Sequence, residues 1–139
     1  MQWNNKYSYP ISTRSIVDGS RHYSVNEERL PSVTTILKAT ESEEKKASLQ
    51  AWKQRVGQKQ AEIITREASS RGSSMHEYLE KFLLGKLNLD LLGDNTRERM
   101  MADQIIENGL RNKLEEIWGC EATLYYPGKY AGAADCVGV

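Results

Sequence analysis

GCEATLYYPGKYAGAADCVGV, residues 119–139, is the stretch that decides how the rest of the chain is read. Glu121 to Tyr126 has the β-branched and aromatic content of a strand, Pro127-Gly128-Lys129 is a turn signal, and Tyr130 to Val139 forms a second strand. Asp135 stands inside that otherwise apolar strand, where an acid is costly to bury unless it is paired or binds a metal. Ala131, Gly132, Ala133 and Ala134 before it are small enough to let another backbone or a substrate approach closely. An aspartate at a bulge or strand end, facing solvent, is the plainer alternative. The sequence ends within the second strand without a closing turn or helix, which is expected of a domain cut off before its sheet is complete.

Working back from this stretch, the pattern is helical and then β. A long amphipathic helix is expected from about Arg97 to Trp118, with Met101, Ile105 or Ile106, Leu110, Leu114 and Ile117 inward. Gly85 to Asn95 reads as a connection holding at most one helical turn. Before it, Met75, Tyr78, Leu79 and Phe82 form the stripe of a helix opening after Gly72, capped by Ser73 or Ser74. A further helix carries Ala61, Ile64 and Ala68 inward and ends near Ser69–Gly72, and Gly57 marks its junction with a helix bearing Leu49, Trp52 and Val56. Ser32 or Thr34 caps a short helix carrying Ile36 and Leu37. From Ile11 to Val25 the chain reads as a hairpin around Asp18-Gly19. One domain follows, with a β-hairpin region over 1–30, a helical region over 31–118 and the first core strands over 119–139.

Composition bounds this reading without assigning a function. With 139 residues, 39% hydrophobic and 27% charged, the chain has room for one modest core and is not disordered. No apolar run approaches the roughly 18–20 residues of a membrane helix, and no secretory signal opens the chain, so a cytoplasmic location is expected. Nineteen basic and nineteen acidic residues cancel, which speaks against a whole-surface nucleic-acid binder and leaves room for a local basic groove. Cys120 and Cys136 lack CxxC spacing; they are two small apolar side chains, or a pair facing across strands.

Chemistry is offered at three places. In RGSSMHEYLEKFL, residues 71–83, His76 and Glu80 lie four apart and share a helix face. His76 can ligate a metal while Glu80 orients it or holds a water; a surface His–Glu pair is the plainer alternative. Arg71, Ser73 and Ser74 lie where a helix start offers free N–H groups to a phosphate, or simply a capped helix. Asp135 is the second place. The hydroxyls of LPSVTTILKAT, residues 30–40, are the third: Ser32, Thr34 and Thr35 contact phosphate or cap the helix. Trp52 and Trp118 are expected on apolar helix faces, and His22 has no metal-type neighbour.

Taken in order, LPSVTTILKAT, the Leu49/Trp52 helix with Val56-Gly57, RGSSMHEYLEKFL, Glu121 and YAGAADCVGV resemble the phage and mitochondrial-maintenance type exonucleases of the RecB-like branch of the PD-(D/E)XK superfamily. The resemblance spans about Tyr23 to Val139, and its most specific parts are R-G-x-x-x-H-x-x-x-E at 71–80 and G-x-x-D at 132–135. It implies an α/β, restriction-endonuclease-like core with a helical N-terminal half, truncated here after the first core strands. It further implies Asp135 as the first catalytic aspartate and a ligand of Mg²⁺ or Mn²⁺, His76 near the metal, and Glu80 one turn later. Glu121 takes a supporting role, while Arg71, Ser73, Ser74 and the Ser32/Thr34/Thr35 segment lie along the DNA strand.

The resemblance departs after Asp135, where an acid-x-Lys strand is expected and residues 136–139 contain none. That element would supply a second metal-binding acid and a lysine for the attacking water, so the chain is expected to be inactive by itself. The activity implied for the intact protein is metal-dependent exonucleolytic hydrolysis of DNA, single-stranded at its ends. The rivals are a DNA-binding or assembly protein that keeps the fold without chemistry, and a nuclease of a recombination complex with a four-cysteine iron–sulfur site. Two unclustered cysteines give the last no support.

Overall fold

Two turns built from left-handed residues set the N-terminal sheet. The computed structural model describes residues 1–86 and 96–139. Asp18 and Gly19, at φ 51° and 76°, join β2 (Ser12–Val17) to β3 (Ser20–Val25), and Asn26 and Glu27, at φ 48° and 68°, join β3 to β4 (Glu28–Pro31). Positive φ at both central residues matches the twist of a tight hairpin. The sheet order is β2-β3-β4, antiparallel throughout. The expected hairpin over Ile11–Val25 is present, with β4 as an additional strand.

The second sheet has the order β1-β5-β6. β5 (Glu116–Tyr126) and β6 (Tyr130–Gly138) form a long antiparallel hairpin, and β1 (Gln2–Trp3) runs parallel to the start of β5. This is the hairpin expected from residues 119–139, with its first strand beginning at Glu116. Cys120 and Cys136 are direct cross-strand partners, both free and half-buried. The two sheets meet where Ser32 bridges Ala131. Tyr23, Val25, Leu30 and Ala131 form a core there, with Tyr125 packed against it.

The helices depart from expectation at two points. α1 (Val33–Ala39) is capped by Ser32, whose hydroxyl accepts from the Thr35 amide at 3.0 Å, and α2 (Glu43–Val56) by Ser42. Gly57, at φ 89°, ends α2 as the sequence suggests. α3 then runs unbroken from Gln58 to Leu83, 26 residues, straight through Gly72. Ser73 and Ser74 therefore cap nothing, and the expected helix start at Arg71–Ser74 is corrected. Ala61, Ala68, Gly72, Met75, Leu79 and Leu83 keep one phase across the glycine, and interrupting the backbone bonds would cost more than the roughly 1 kcal/mol that glycine forfeits. Ala61 is buried, but Ile64 and Ala68 are exposed, contrary to their expected inward facing.

The expected helix over 97–118 is also corrected. α4 (Arg97–Ile105), capped by Thr96, passes into a π-helical turn (Ile106–Leu110) and stops. Ala102 and Ile106 are buried on it, whereas Ile117 is buried as part of strand β5. Trp118 is likewise a strand residue, lying edge-on to Tyr7 with Lys6 above its ring. α3 packs on α4 and on β5, and the Trp3 indole donates to the Leu83 carbonyl at 2.7 Å. The fold is thus mixed α/β with two small sheets. The expected connection over Gly85–Asn95 falls mostly outside the described residues. No helix among the described residues is long and apolar enough to cross a membrane.

A candidate metal centre in the cleft between the long helix and the two sheets

Because α3 does not break at Gly72, residues spaced three and four apart along it stay on one face. Ser69, Gly72, Ser73, His76 and Glu80 accordingly line one side of a cleft of about 600 Å³. The N-terminal sheet and α1 contribute Arg14, Arg21, Tyr23 and Thr34 to its walls, and the β5–β6 hairpin contributes Glu121 and Asp135. Gly72 has no side chain to fill this space, and a Cβ there would meet nothing within 4 Å.

His76, Glu121 and Asp135 converge in the cleft from α3, β5 and β6. One ligand atom from each lies within 4.8 Å of the other two, and His76 Nδ1 is 3.5 Å from Asp135 Oδ1. An ion bound at ~2.1 Å by cis ligands needs donor atoms about 3 Å apart, so small rotamer changes would bring these three onto one cation. Two carboxylates and one imidazole form a donor set suited to Mg²⁺ or Mn²⁺, and the nitrogen favours Mn²⁺ of the two. All three side chains are exposed to solvent and can reach a substrate.

Negative charge is concentrated around Glu121. Burial pushes its carboxyl up from the ordinary 4.5, the negative charges of Asp135 and Glu80 add to this, and a hydrogen bond with Asp135 favours the protonated form; His76 opposes them. Its backbone is also unusual: φ is 49°, a left-handed conformation within a strand, at the position facing Asp135 across the ladder. Such strained residues concentrate at functional sites, where the surrounding structure holds them in place. The same negative surroundings act on Cys120, whose thiol is pushed up to about 11, by burial first and then by Glu80 and Glu121. Glu77 is different: its ion pair with Lys81 at 2.7 Å holds its carboxyl below the usual range.

Several of the residues read from the sequence meet here and others do not. His76, Glu121, Asp135, Glu80, Ser73 and Thr34 all face the cleft, although Glu80 stands outside the cluster of three ligand atoms. Arg71 is half-buried and Ser74 exposed, and neither lines the cleft. With no helix terminus at Gly72, the free amides that made Arg71, Ser73 and Ser74 a phosphate site are absent. Ser32 is buried as the cap of α1 and is hydrogen-bonded to the Thr34 and Thr35 hydroxyls. Thr35 in turn donates to the Arg21 carbonyl at 2.9 Å.

The residues missed by the sequence reading are Arg14 and Arg21. Among the described residues neither guanidinium is in an ion pair. A signal for them existed: the Asp18-Gly19 turn fixes the hairpin register so that Arg14 pairs with Tyr23 and Ile16 with Arg21, which puts both arginines on one sheet face. Comparison with known proteins adds no relative to this picture, since no family model, no curated protein and no solved structure matches the chain.

Proposed function

We infer that this chain carries the first metal ligands and part of the substrate cleft of a divalent-metal-dependent nuclease acting on DNA. Its two sheets and long helix would form the start of a restriction-endonuclease-like core of the PD-(D/E)XK type. The observation that carries the reading is the convergence of His76, Glu121 and Asp135, three segments remote in sequence, in one cleft with Arg14 and Arg21.

In this reading His76, Glu121 and Asp135 would hold Mg²⁺ or Mn²⁺, which supplies an activated water and charge neutralisation at the phosphoryl group. Asp135 is the central ligand, reached by His76 Nδ1 and by the carboxyl of Glu121. Glu121 goes beyond the supporting role expected of it, because its carboxylate lies within ligand reach of both His76 and Asp135 and would release its proton on binding the cation. Glu80 adds negative charge at the same place and can orient a metal-bound water. Arg14 and Arg21 are bidentate donors for the phosphate oxygens flanking the scissile bond, and Thr34 offers a hydroxyl beside them. The preferred substrate is a single strand entered from an end, as the resemblance to the RecB-like exonucleases implies.

A second reading is a DNA-binding or assembly protein that keeps the site without the chemistry, since three exposed ligand atoms and two arginines in one cleft suit binding as well as cleavage. The two separate on one assay. The full product of the gene is incubated with end-labelled single-stranded DNA and Mn²⁺. Degradation that disappears in Asp135→Ala and weakens in His76→Ala supports the nuclease; binding without cleavage supports the second reading.

A further inference from the structure

Beside the metal cleft runs a second groove, about 540 Å³ in volume, between the start of α1 and the β5–β6 hairpin. Its walls are aromatic where those of the cleft are charged. Tyr126 and Tyr130 are cross-strand partners at the hairpin tip, with ring centroids 5.8 Å apart and ring planes inclined by 29°. They remain 56% and 42% exposed, and Leu124 beside them is 50% exposed. Tyr125 and Tyr23 line the groove further in, while Gly132, Ala133 and Ala134 leave its floor without large side chains.

The groove and the cleft adjoin. Tyr126 and Tyr130 lie on the opposite face of the β5–β6 hairpin from Glu121 and Asp135, and the two spaces meet at Arg21, Tyr23, Thr34 and Ala133, which line both. Arg21 stands at the junction, where a phosphate between the two would lie. Aromatic platforms following a basic contact match a nucleic-acid strand whose unpaired bases stack while its backbone is held. Tyrosine also suits an exposed position, since its hydroxyl stays wet while the ring face takes a flat apolar partner.

We propose that the Tyr126–Tyr130 hairpin tip is a stacking platform for unpaired bases of the DNA strand whose phosphate is held at Arg21. This rests on the metal-dependent DNA reading above and adds to it a base-binding site that favours unpaired over duplex substrate. Stacking tolerates any base, so the platform discriminates base from no base and carries no sequence preference. Its loss should weaken binding by about tenfold, towards the lower end of the range for a base–aromatic stack.

The test is fluorescence anisotropy of the chain with a labelled oligothymidylate and with an abasic oligomer of the same length, in Ca²⁺ to prevent cleavage. The wild-type chain should bind the thymidylate about tenfold more tightly than the abasic strand. Tyr126→Ala/Tyr130→Ala should reduce that ratio towards one, and Tyr126→Phe/Tyr130→Phe should keep it. Arg21→Ala should weaken both oligomers alike. Photo-crosslinking of a 5-iodouracil oligomer to the wild-type chain, read by mass spectrometry, should mark Tyr126 or Tyr130 and needs no variant to fold. A wild-type ratio of one, an unchanged ratio in the alanine variant, or crosslinks confined to other elements would overturn the platform while leaving the metal reading intact. Occupation of the groove by a proline-rich peptide, or self-association through the hairpin tip without discrimination between the oligomers, would also overturn it. Failure of the wild-type chain to bind either oligomer would instead remove the DNA reading on which the platform rests.

Discussion

Replacing Glu121 by glycine should make the metal-free protein more stable and weaken its metal binding. Glu121 holds φ at 49°, where any residue with a Cβ is penalised by roughly 1–2 kcal/mol and glycine is not. Its carboxyl is raised above 4.5 by burial and by the charges of Asp135 and Glu80. A carboxyl held above its unfolded value binds its proton more tightly in the folded state. Its ionisation therefore costs no stability below the unfolded pKa, and costs progressively more as pH rises through the folded pKa. At neutral pH both effects disfavour the native residue. For a chain of this length, the backbone part alone corresponds to a rise in Tm of about 3–8 °C.

Three proteins separate the contributions in thermal melts at about pH 4 and about pH 8. Glu121→Gly should melt above the wild-type chain at both, with the larger gain at the higher pH. Glu121→Gln, which keeps the strained backbone, should gain only at the higher pH. Mn²⁺ at a concentration that raises the wild-type Tm should raise both variants much less, because a ligand stabilises the folded form only as far as it binds it. If Glu121→Gly melts below the wild-type chain at both pH values, the backbone is not strained at this position. If it retains the Mn²⁺-induced rise, Glu121 is not a ligand.

Other positions give sharp outcomes. Gly72→Ala should raise stability by about 1 kcal/mol in a thermal melt, because α3 passes straight through the site and the added Cβ meets nothing within 4 Å; a loss would mean that the helix breaks there. Ser32→Ala should cost about 1–2 kcal/mol in urea unfolding, as it removes the α1 cap and the partner of two threonine hydroxyls; an unchanged midpoint would show that the cap is not needed. Alkylation of Cys120 by iodoacetamide should be slow at neutral pH and should climb up to about pH 11, where its thiolate forms. A plateau near the free-cysteine value would show that burial and the neighbouring carboxylates do not act on it.

What the sequence revealed and what it concealed follow from how local each determinant is. The Asp18-Gly19 and Pro127–Lys129 turns are encoded by a few adjacent residues, so both hairpins were legible, and with them Asp135 on its strand. His76 and Glu80 were legible because helical spacing alone puts them on one face. Residues 111–118 were misread because Leu114 and Ile117 continue the helical period of Leu110, although the helix ends there and Glu116 opens a strand. Pairing of Gln2–Trp3 with Glu116–Ile117, and of β5 with β6, decides for the strand, and neither partner is close in sequence. Gly72 was overvalued as a breaker, since one glycine costs less than two new helix ends. The left-handed backbone of Glu121 has no sequence signature, so its place beside His76 and Asp135 emerges only when α3, β5 and β6 are assembled.

The central claim is that His76, Glu121 and Asp135 form one cation site, and Mn²⁺ titration followed by electron paramagnetic resonance tests it most directly. The wild-type chain should take up one Mn²⁺ with an altered spectrum. Asp135→Asn should abolish that binding, and His76→Ala and Glu121→Gln should each weaken it by about tenfold or more. Uptake by the wild-type chain no greater than that of Asp135→Asn would contradict the account.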